Sequence, residues 1–325
     1  MSKRITKNIK EAGRLLKDGQ LVAFPTETVY GLGADALNPL AVKRVYEAKS
    51  RPLDHPLIIH IGLESLLDEF AIHIPRVARD LVARFWPGPL TLVLDASDKV
   101  PRIVTGGQDT VAIRFPSHPV AIDLLKEFGG GIVGPSANKF GRLSPTRAED
   151  VARDFGPEVS LILDGGPCAV GIESTIIGFD GESPVMLRPG MIDRESISKE
   201  ISENVLSAGF KLPRVPGALP SHYAPRTKLR LLGTEEVRRY LEKNAGSHEL
   251  ALLTFQKSFG ASPNITTIIA SQEPNDYAKN LYQRLRELDS CGAELIIVEA
   301  VPEMAYIFVS LLAPRVAYML ACLLT

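Results

Sequence analysis

Short runs of apolar, often β-branched residues bounded by Gly or Pro alternate with amphipathic stretches along the N-terminal part of the chain. The runs predict strands at 21–24, 57–61, 90–94, 110–115, 131–134, 159–163, 174–178 and 185–187. Apolar positions at helical spacing predict helices at 3–17, 40–48, 76–85, 119–128, 147–155 and 194–206. Several strands follow one another without an intervening helix, which argues against simple βαβ repeats. An α/β domain with a twisted mixed sheet is expected over 1–206. From 207 to 227 the chain is punctuated by Pro and Gly, most densely in KLPRVPGALPSHYAPRT. Proline fixes φ and removes an amide donor, so this stretch predicts an extended connector, either a linker or a lid. Beyond it, strands at 229–232, 250–254, 267–270 and 295–298 are interleaved with helices at 235–243 and 276–288. That pattern predicts a small three-layer, Rossmann-like α/β domain with a largely parallel sheet over 228–325.

Charge and cysteine content narrow the classes. The 325 residues carry 37 Lys+Arg against 38 Asp+Glu, a net charge of -1, which removes the bulk attraction to phosphate backbones that a basic nucleic-acid binder uses. Any tRNA contact is therefore expected to be weak or indirect. Cys168, Cys291 and Cys322 are too few and scattered for a disulfide framework or a zinc site, and a reducing compartment fits them best. The N-terminus lacks the apolar core of a secretion signal, so a cytoplasmic location is expected. The apolar stretch 304–325 has the length of a membrane span. Pro314 and Arg315 sit near its middle, where Arg costs at least about 2.5 kcal/mol on insertion scales, so a packed terminal helix or helix pair is expected and no stable membrane association.

Five clusters carry polar chemistry at loop positions beside strands. Pro25-Thr26-Glu27-Thr28-Val29-Tyr30-Gly31-Leu32-Gly33 reads as a strand exit lined with hydroxyls, or as a turn followed by a bulge. Lys49-Ser50-Arg51-Pro52 with His55 reads as cations closing a helix, or as a polyphosphate clamp. His60, amid apolar neighbours, reads as a core histidine in the absence of context. In Thr110-Val111-Ala112-Ile113-Arg114, alternation puts Thr110, Ala112 and Arg114 on one face. A buried Arg requires an anion, either an internal Asp or Glu or a substrate carboxylate. Gly134-Pro135-Ser136-Ala137-Asn138 offers amides and hydroxyls to an anion, while Ser144-Pro145-Thr146 reads as a helix N-cap. Glu173, Ser174 and Thr175 open one strand and Arg188 closes the next. Cys168 has no neighbouring His and reads as inert. There is no G-x-S-x-G elbow, paired metal-binding histidines or Walker loop, so hydrolase and P-loop NTPase readings are disfavoured. Cations and small hydroxyls suit an anionic nucleotide with a small amino or carboxyl compound.

PTETVYGLG, KSRP, FWPGPLTLVL, DTVAIRFPSHP, GPSAN, LSPT, DGGPC…GIESTII and LRPG occur in that order, and SHYAPRT follows. The set resembles the YrdC-like threonylcarbamoyl-AMP synthases, in their longer two-domain form. The resemblance implies synthesis of L-threonylcarbamoyladenylate from L-threonine, bicarbonate and ATP, with Mg2+ carried mainly on the ATP phosphates. The product would pass to the tRNA threonylcarbamoyl-transfer machinery. It implies L-threonine contacts at Thr28, His60, Arg114, Gly134 and Ser174. ATP contacts are implied at Lys49, Arg51, His55, Thr110, Ser136, Asn138, Ser144 and Arg188, with Lys49, Arg51 and Arg114 stabilising charge. No covalent nucleophile is implied. A lid is implied at Val215, His222 and Tyr223. The family usually carries Asn where this chain has His55 and Ser where it has Val215. Two other readings share the site: an RNA-binding or ribosome-associated protein without catalysis, and a synthase of another carbamoyl adenylate.

Overall fold

The computed structural model describes residues 5–207, 213–216, 224–244, 249–259 and 264–301. His222, Tyr223 and the apolar stretch 304–325 lie outside these. The chain divides into two compact units, Met1–Phe140 with Ser144–Ala218, and Gly141–Leu143 with Leu219–Thr325. The segment 213–216, expected to belong to a connector, is part of the first unit.

The first unit is built on a mixed sheet. Its strands are β1 (Ile5–Thr6), β2 (Val22–Phe24), β3 (Gly31–Asp35), β4 (Ile58–His60), β5 (Ala71–Ile72), β6 (Leu90–Ala96), β7 (Thr110–Arg114), β8 (Ile132–Val133), β9 (Leu161–Leu163), β10 (Thr175–Asp180), β11 (Ser183–Arg188) and β12 (Leu206–Ser207). They run in the order β1-β9-β2-β3-β8-β4-β7-β6-β10-β11-β12, with β5 paired on β6. Both edges replace expected helix. Ile5–Thr6 pairs in parallel with β9, and the first helix starts only at Ile9, capped by the Asn8 side chain on the Glu11 amide. The helix expected to run to 206 ends at Ile201, and Leu206–Ser207 pairs with β11. β3 was not expected, because Gly-Leu-Gly-Ala-Asp lacks β-branched residues. Gly33 is required there by packing: a Cβ would lie 2.8 Å from the Val22 carbonyl oxygen on the neighbouring strand.

The period of two sorts the sheet into faces. Ile59, Ile113, Leu92 and Ile177 point into the main core, with Val45 and Tyr46 from helix Pro39–Lys49 and Leu81 from helix Arg76–Phe85. On the opposite face Val22, Phe24 and Ile132 pack under helices Ile9–Lys17 and Pro119–Phe128, through Ala12, Leu16, Leu124 and Leu125. That second cluster contains no residue of β7, β6, β10 or β11. On those strands the same face carries Val93, Ala112 and Ile176, which with Ile58 form a small cluster closed by Val215.

The second unit has four strands, β13 (Lys228–Leu232), β14 (Leu250–Thr254), β15 (Ile265–Ile269) and β16 (Leu295–Glu299), all parallel in the order β13-β16-β14-β15. Helix Thr234–Lys243 crosses from β13 to β14 and packs Val237 on Leu252 and Ile297. Helix Pro274–Asp289 crosses from β15 to β16 with Tyr277, Leu281, Leu285 and Leu288 buried. The fully buried Glu299 carboxylate at the end of β16 accepts from Thr234 Oγ1 at 2.6 Å, the Phe255 amide at 2.8 Å and Thr254 Oγ1. This satisfies a charge that would otherwise be prohibitive in such a core.

Candidate functional site

The strand register lines up a polar row on the face beside the Val215 cluster. His60 on β4 lies opposite Arg114 on β7, Arg114 opposite Thr91 on β6, and Thr91 opposite Ile176 on β10, which faces Arg188 on β11. Ser174, just before β10, shares a 2.8 Å hydrogen bond with Thr91. Residues distant in sequence thus meet because hydrogen-bonded strands place matching positions on one side. All five polar side chains, His60, Arg114, Thr91, Ser174 and Arg188, are buried.

Arg114 has an internal acid. Its Nη2 lies 2.7 Å from Glu27 Oε1, with the two side chains 4% and 8% exposed. Nη1 donates to Thr28 Oγ1 at 2.9 Å and Nε to the Gly88 carbonyl at 3.2 Å. Of the two anions that a buried Arg114 called for, an internal acid or a substrate carboxylate, the structure shows the internal acid, Glu27. The Nη2–Oε1 approach is a Coulombic pair without hydrogen-bond alignment, and both atoms are buried without an aligned partner among the described residues. Glu27 Oε2 accepts from the Ser117 amide at 3.2 Å. Thr28 shares a 2.8 Å hydrogen bond with Thr26, whose hydroxyl reaches the Val29 carbonyl at 2.6 Å, so this turn is fixed from within.

His60 stands edge-on to Phe24, ring centres 5.6 Å apart. Burial first, and then the Arg114 charge, push its imidazole down to about 3. It is neutral at physiological pH, and its Nδ1 has no partner among the described residues. Gly134 makes room for the ring: a Cβ there would lie 2.8 Å from Nδ1 and 2.9 Å from Phe24 Cζ. Gly134→Ala is expected to lower stability by about 1–3 kcal/mol through this overlap, read by urea denaturation. An unchanged midpoint would show that the ring moves aside freely.

The cationic side of the site is held by main chain. Lys49, buried at the end of helix Pro39–Lys49, donates to the carbonyls of Ser136 at 2.5 Å and Asn138 at 2.6 Å. Burial, followed by the Arg51 charge, lowers its pKa well below the ordinary lysine value. The helix-dipole reading explains little of this, because the carbonyls belong to another loop. Arg51 donates to the Pro56 carbonyl at 2.9 Å and lies 5.8 Å from the Phe140 ring centre. His55 meets Phe140 edge-on at 5.2 Å, and burial with the Arg51 charge lowers its pKa. Its carbonyl accepts from Tyr46 Oη at 2.9 Å. Asn138 Nδ2 donates to the Lys139 carbonyl at 2.8 Å, and Ser136 is half-buried. Ser144 is no helix cap: helix Ala148–Asp154 starts without a side-chain cap, and the Ser144 hydroxyl donates to the buried Glu173 at 2.7 Å. Cys168 is buried and its thiol is pushed up, consistent with an inert residue.

Arg188 joins the row to the segment 213–216. It donates to the Ser174 carbonyl through Nη2 at 2.8 Å and Nε at 3.3 Å, to Ser174 Oγ at 3.2 Å, and to the Pro216 carbonyl at 2.7 Å. At the other end of 213–216, the Gln108 side chain accepts from the Arg214 amide at 2.8 Å and donates to the Arg214 carbonyl at 3.0 Å. Thr110, half-buried, opens β7 two residues further on. Val215, which the resemblance places in a lid, therefore packs against the sheet face. Nothing in the sequence alone marks Glu27, Thr91, Gln108 and Glu173 as site residues. The signal available for Glu27 was the need of a strand-buried Arg for an acid.

Residues 14–190 match the Sua5_yciO_yrdC family model, described as "Telomere recombination". Residues 192–308 match the Sua5_C model, described as "Threonylcarbamoyl-AMP synthase, C-terminal domain". The chain belongs to the Sua5/YrdC family. The threonylcarbamoyl-AMP synthase of Pyrococcus abyssi is 42% identical, covering 91% of this chain and 89% of that protein. The one from Bacillus subtilis is 41% identical, with 91% and 88% covered. The crystal structure of P. abyssi Sua5 complexed with L-threonine superposes with a TM-score of 0.84 at 38% identity, covering 93% of this chain and 92% of that one. Escherichia coli YciO, at a TM-score of 0.53 and 24% identity, shares the fold over 61% of this chain. The YrdC-like fold and the two-domain form of the family are thus those expected from the ordered motifs.

Proposed function

We propose that this protein is an ATP-dependent L-threonylcarbamoyladenylate synthase acting in the first step of N6-threonylcarbamoyladenosine formation in tRNA. The observation that carries this is the match of both domains to synthases of that name over nearly their whole length. A relative of the same architecture holds L-threonine. The chemistry fits the site. The bound threonine ammonium first gives up a proton to solvent or bicarbonate; the resulting amine adds to CO2 and releases a second proton to solvent, forming a carbamate, one oxygen of which then attacks the α-phosphorus of ATP as pyrophosphate leaves. No step requires a protein nucleophile.

The work left to the chain is positioning, water exclusion and charge stabilisation. Threonine would lie on the polar row, with its carboxylate toward Arg114, whose fork has N–H groups beyond those used by Glu27, Thr28 and Gly88. Thr28, Ser174, the Gly134 backbone and the unpartnered His60 Nδ1 would take the remaining groups. ATP would lie toward Lys49, Arg51, Ser136, Asn138, Ser144, Thr110 and Arg188, with His55 beside them. This donor set of cations and hydroxyls suits phosphate oxygens, so Mg2+ would arrive on the triphosphate and neutralise charge there. No helix among the described residues is long and apolar enough to cross a membrane. We read the protein as a cytoplasmic enzyme that hands its labile product to the tRNA threonylcarbamoyl-transfer machinery.

Purified protein given L-threonine, bicarbonate, MgATP and pyrophosphatase is expected to accumulate the mixed anhydride. Folded protein that binds RNA in a salt-sensitive way yet forms none would favour the non-catalytic reading. Equal turnover with serine, valine and threonine would favour a synthase of another carbamoyl adenylate.

A further inference from the structure

Arg114 needs an anion to be buried, and Glu27 already supplies one, so the site presents the two charges together. Their facing atoms, Arg114 Nη2 and Glu27 Oε1, are 2.7 Å apart and lack aligned hydrogen bonds among the described residues. His60 Nδ1, opposite Arg114 in the strand register, is also unpartnered there. A buried cation, anion and neutral ring nitrogen, each with unused hydrogen-bonding capacity, are unusual neighbours in a protein interior. They match the three polar groups of a hydroxy amino acid: carboxylate, ammonium and hydroxyl.

We propose that Glu27 is a substrate-recognition residue whose carboxylate takes the α-ammonium of L-threonine while the guanidinium it flanks takes the α-carboxylate. This rests on threonine binding as read above. The pair is then a receptor for a zwitterion: each internal partner is exchanged for, or shared with, a substrate group of the same sign. A ligand without the ammonium leaves the Glu27 carboxylate competing with the ligand's own carboxylate for Arg114. The site therefore selects amino acids against hydroxy acids, independently of how it reads the side chain.

The test compares L-threonine with its deaminated analogue, (R)-3-hydroxybutanoate, by isothermal titration of the full chain. In the wild type threonine should bind more tightly by roughly 10- to 100-fold, the scale of one charge-assisted contact. Glu27→Gln should weaken threonine by about that factor and leave the analogue unchanged or tighter, collapsing the preference. Equal weakening of both ligands would overturn the proposal, because it would mean that Glu27 only props Arg114. If Glu27→Gln fails to fold, Glu27→Asp decides: the shortened carboxylate should weaken threonine while sparing the analogue, and equal losses again overturn the idea. A folded wild type that binds no threonine would instead sink the functional reading itself.

Discussion

Replacing Arg188 with Ala should cut adenylate formation by at least about a hundredfold and destabilise the fold by about 3–5 kcal/mol. The buried guanidinium is the donor for both the Ser174 and the Pro216 carbonyls, and it also reaches the Ser174 hydroxyl. Alanine would leave both carbonyls buried without that donor, at about 1–3 kcal/mol each, and would remove a packed aliphatic stem. The catalytic loss has a separate source: the same side chain is the one proposed to face the triphosphate, and it holds the 213–216 segment against the sheet. Arg188→Lys keeps the charge but not the fork, so it should recover part of the stability and little of the turnover. Pyrophosphate release and urea denaturation read the two effects independently. Wild-type turnover in a folded Arg188→Ala protein would remove Arg188 from the site.

The second large effect is a pH dependence written into His60. Its ordinary value of 6.5 is lowered to about 3 in the fold, by burial and then by Arg114. Above 6.5 the ring is neutral in both folded and unfolded chains, so its environment is fully tolerated. Below that, the unfolded chain gains a proton that the folded chain does not, and stability falls with pH until about 3. One proton corresponds to about 1.4 kcal/mol per pH unit, a loss approaching about 5 kcal/mol across the window. Carboxylates elsewhere add their own acid sensitivity, so the informative quantity is the difference from His60→Gln. Between pH 7.5 and 5, that variant should gain about 2 kcal/mol on the wild type. Parallel denaturation midpoints would show that His60 titrates normally.

What the sequence revealed of this site follows from which signals are local. Strands carrying His60 and Arg114 announce themselves by β-branched runs and alternation, so the face bearing Ala112 and Arg114 is legible before any pairing is known. The row itself is not, since it depends on register between strands as distant in sequence as those of Thr91 and Ile176. Glu27 illustrates the gap: it precedes Thr28 in an obvious motif, yet nothing nearby says that its partner lies on β7. β3 escapes the strand pattern for another reason. Its Gly-Leu-Gly sequence lowers strand propensity, whereas close approach to Val22 makes glycine necessary. Ser144 shows local logic misleading outright, because a good capping residue is used for a tertiary contact to Glu173. Edge strands β1 and β12, two residues each, carry too little pattern to be told from the adjoining helices.

With substrates bound on the polar row as proposed, the anchoring of the 213–216 segment has a kinetic corollary. Exposing Val215 and breaking the bond from Arg188 to Pro216 would together cost about 3–5 kcal/mol, so the uncovered form would be outnumbered by about a hundredfold or more. A carbamate born underneath would have few chances to leak before adenylation. That leakage would be governed by local fold stability rather than by reaction chemistry, and so should steepen with temperature on its own schedule.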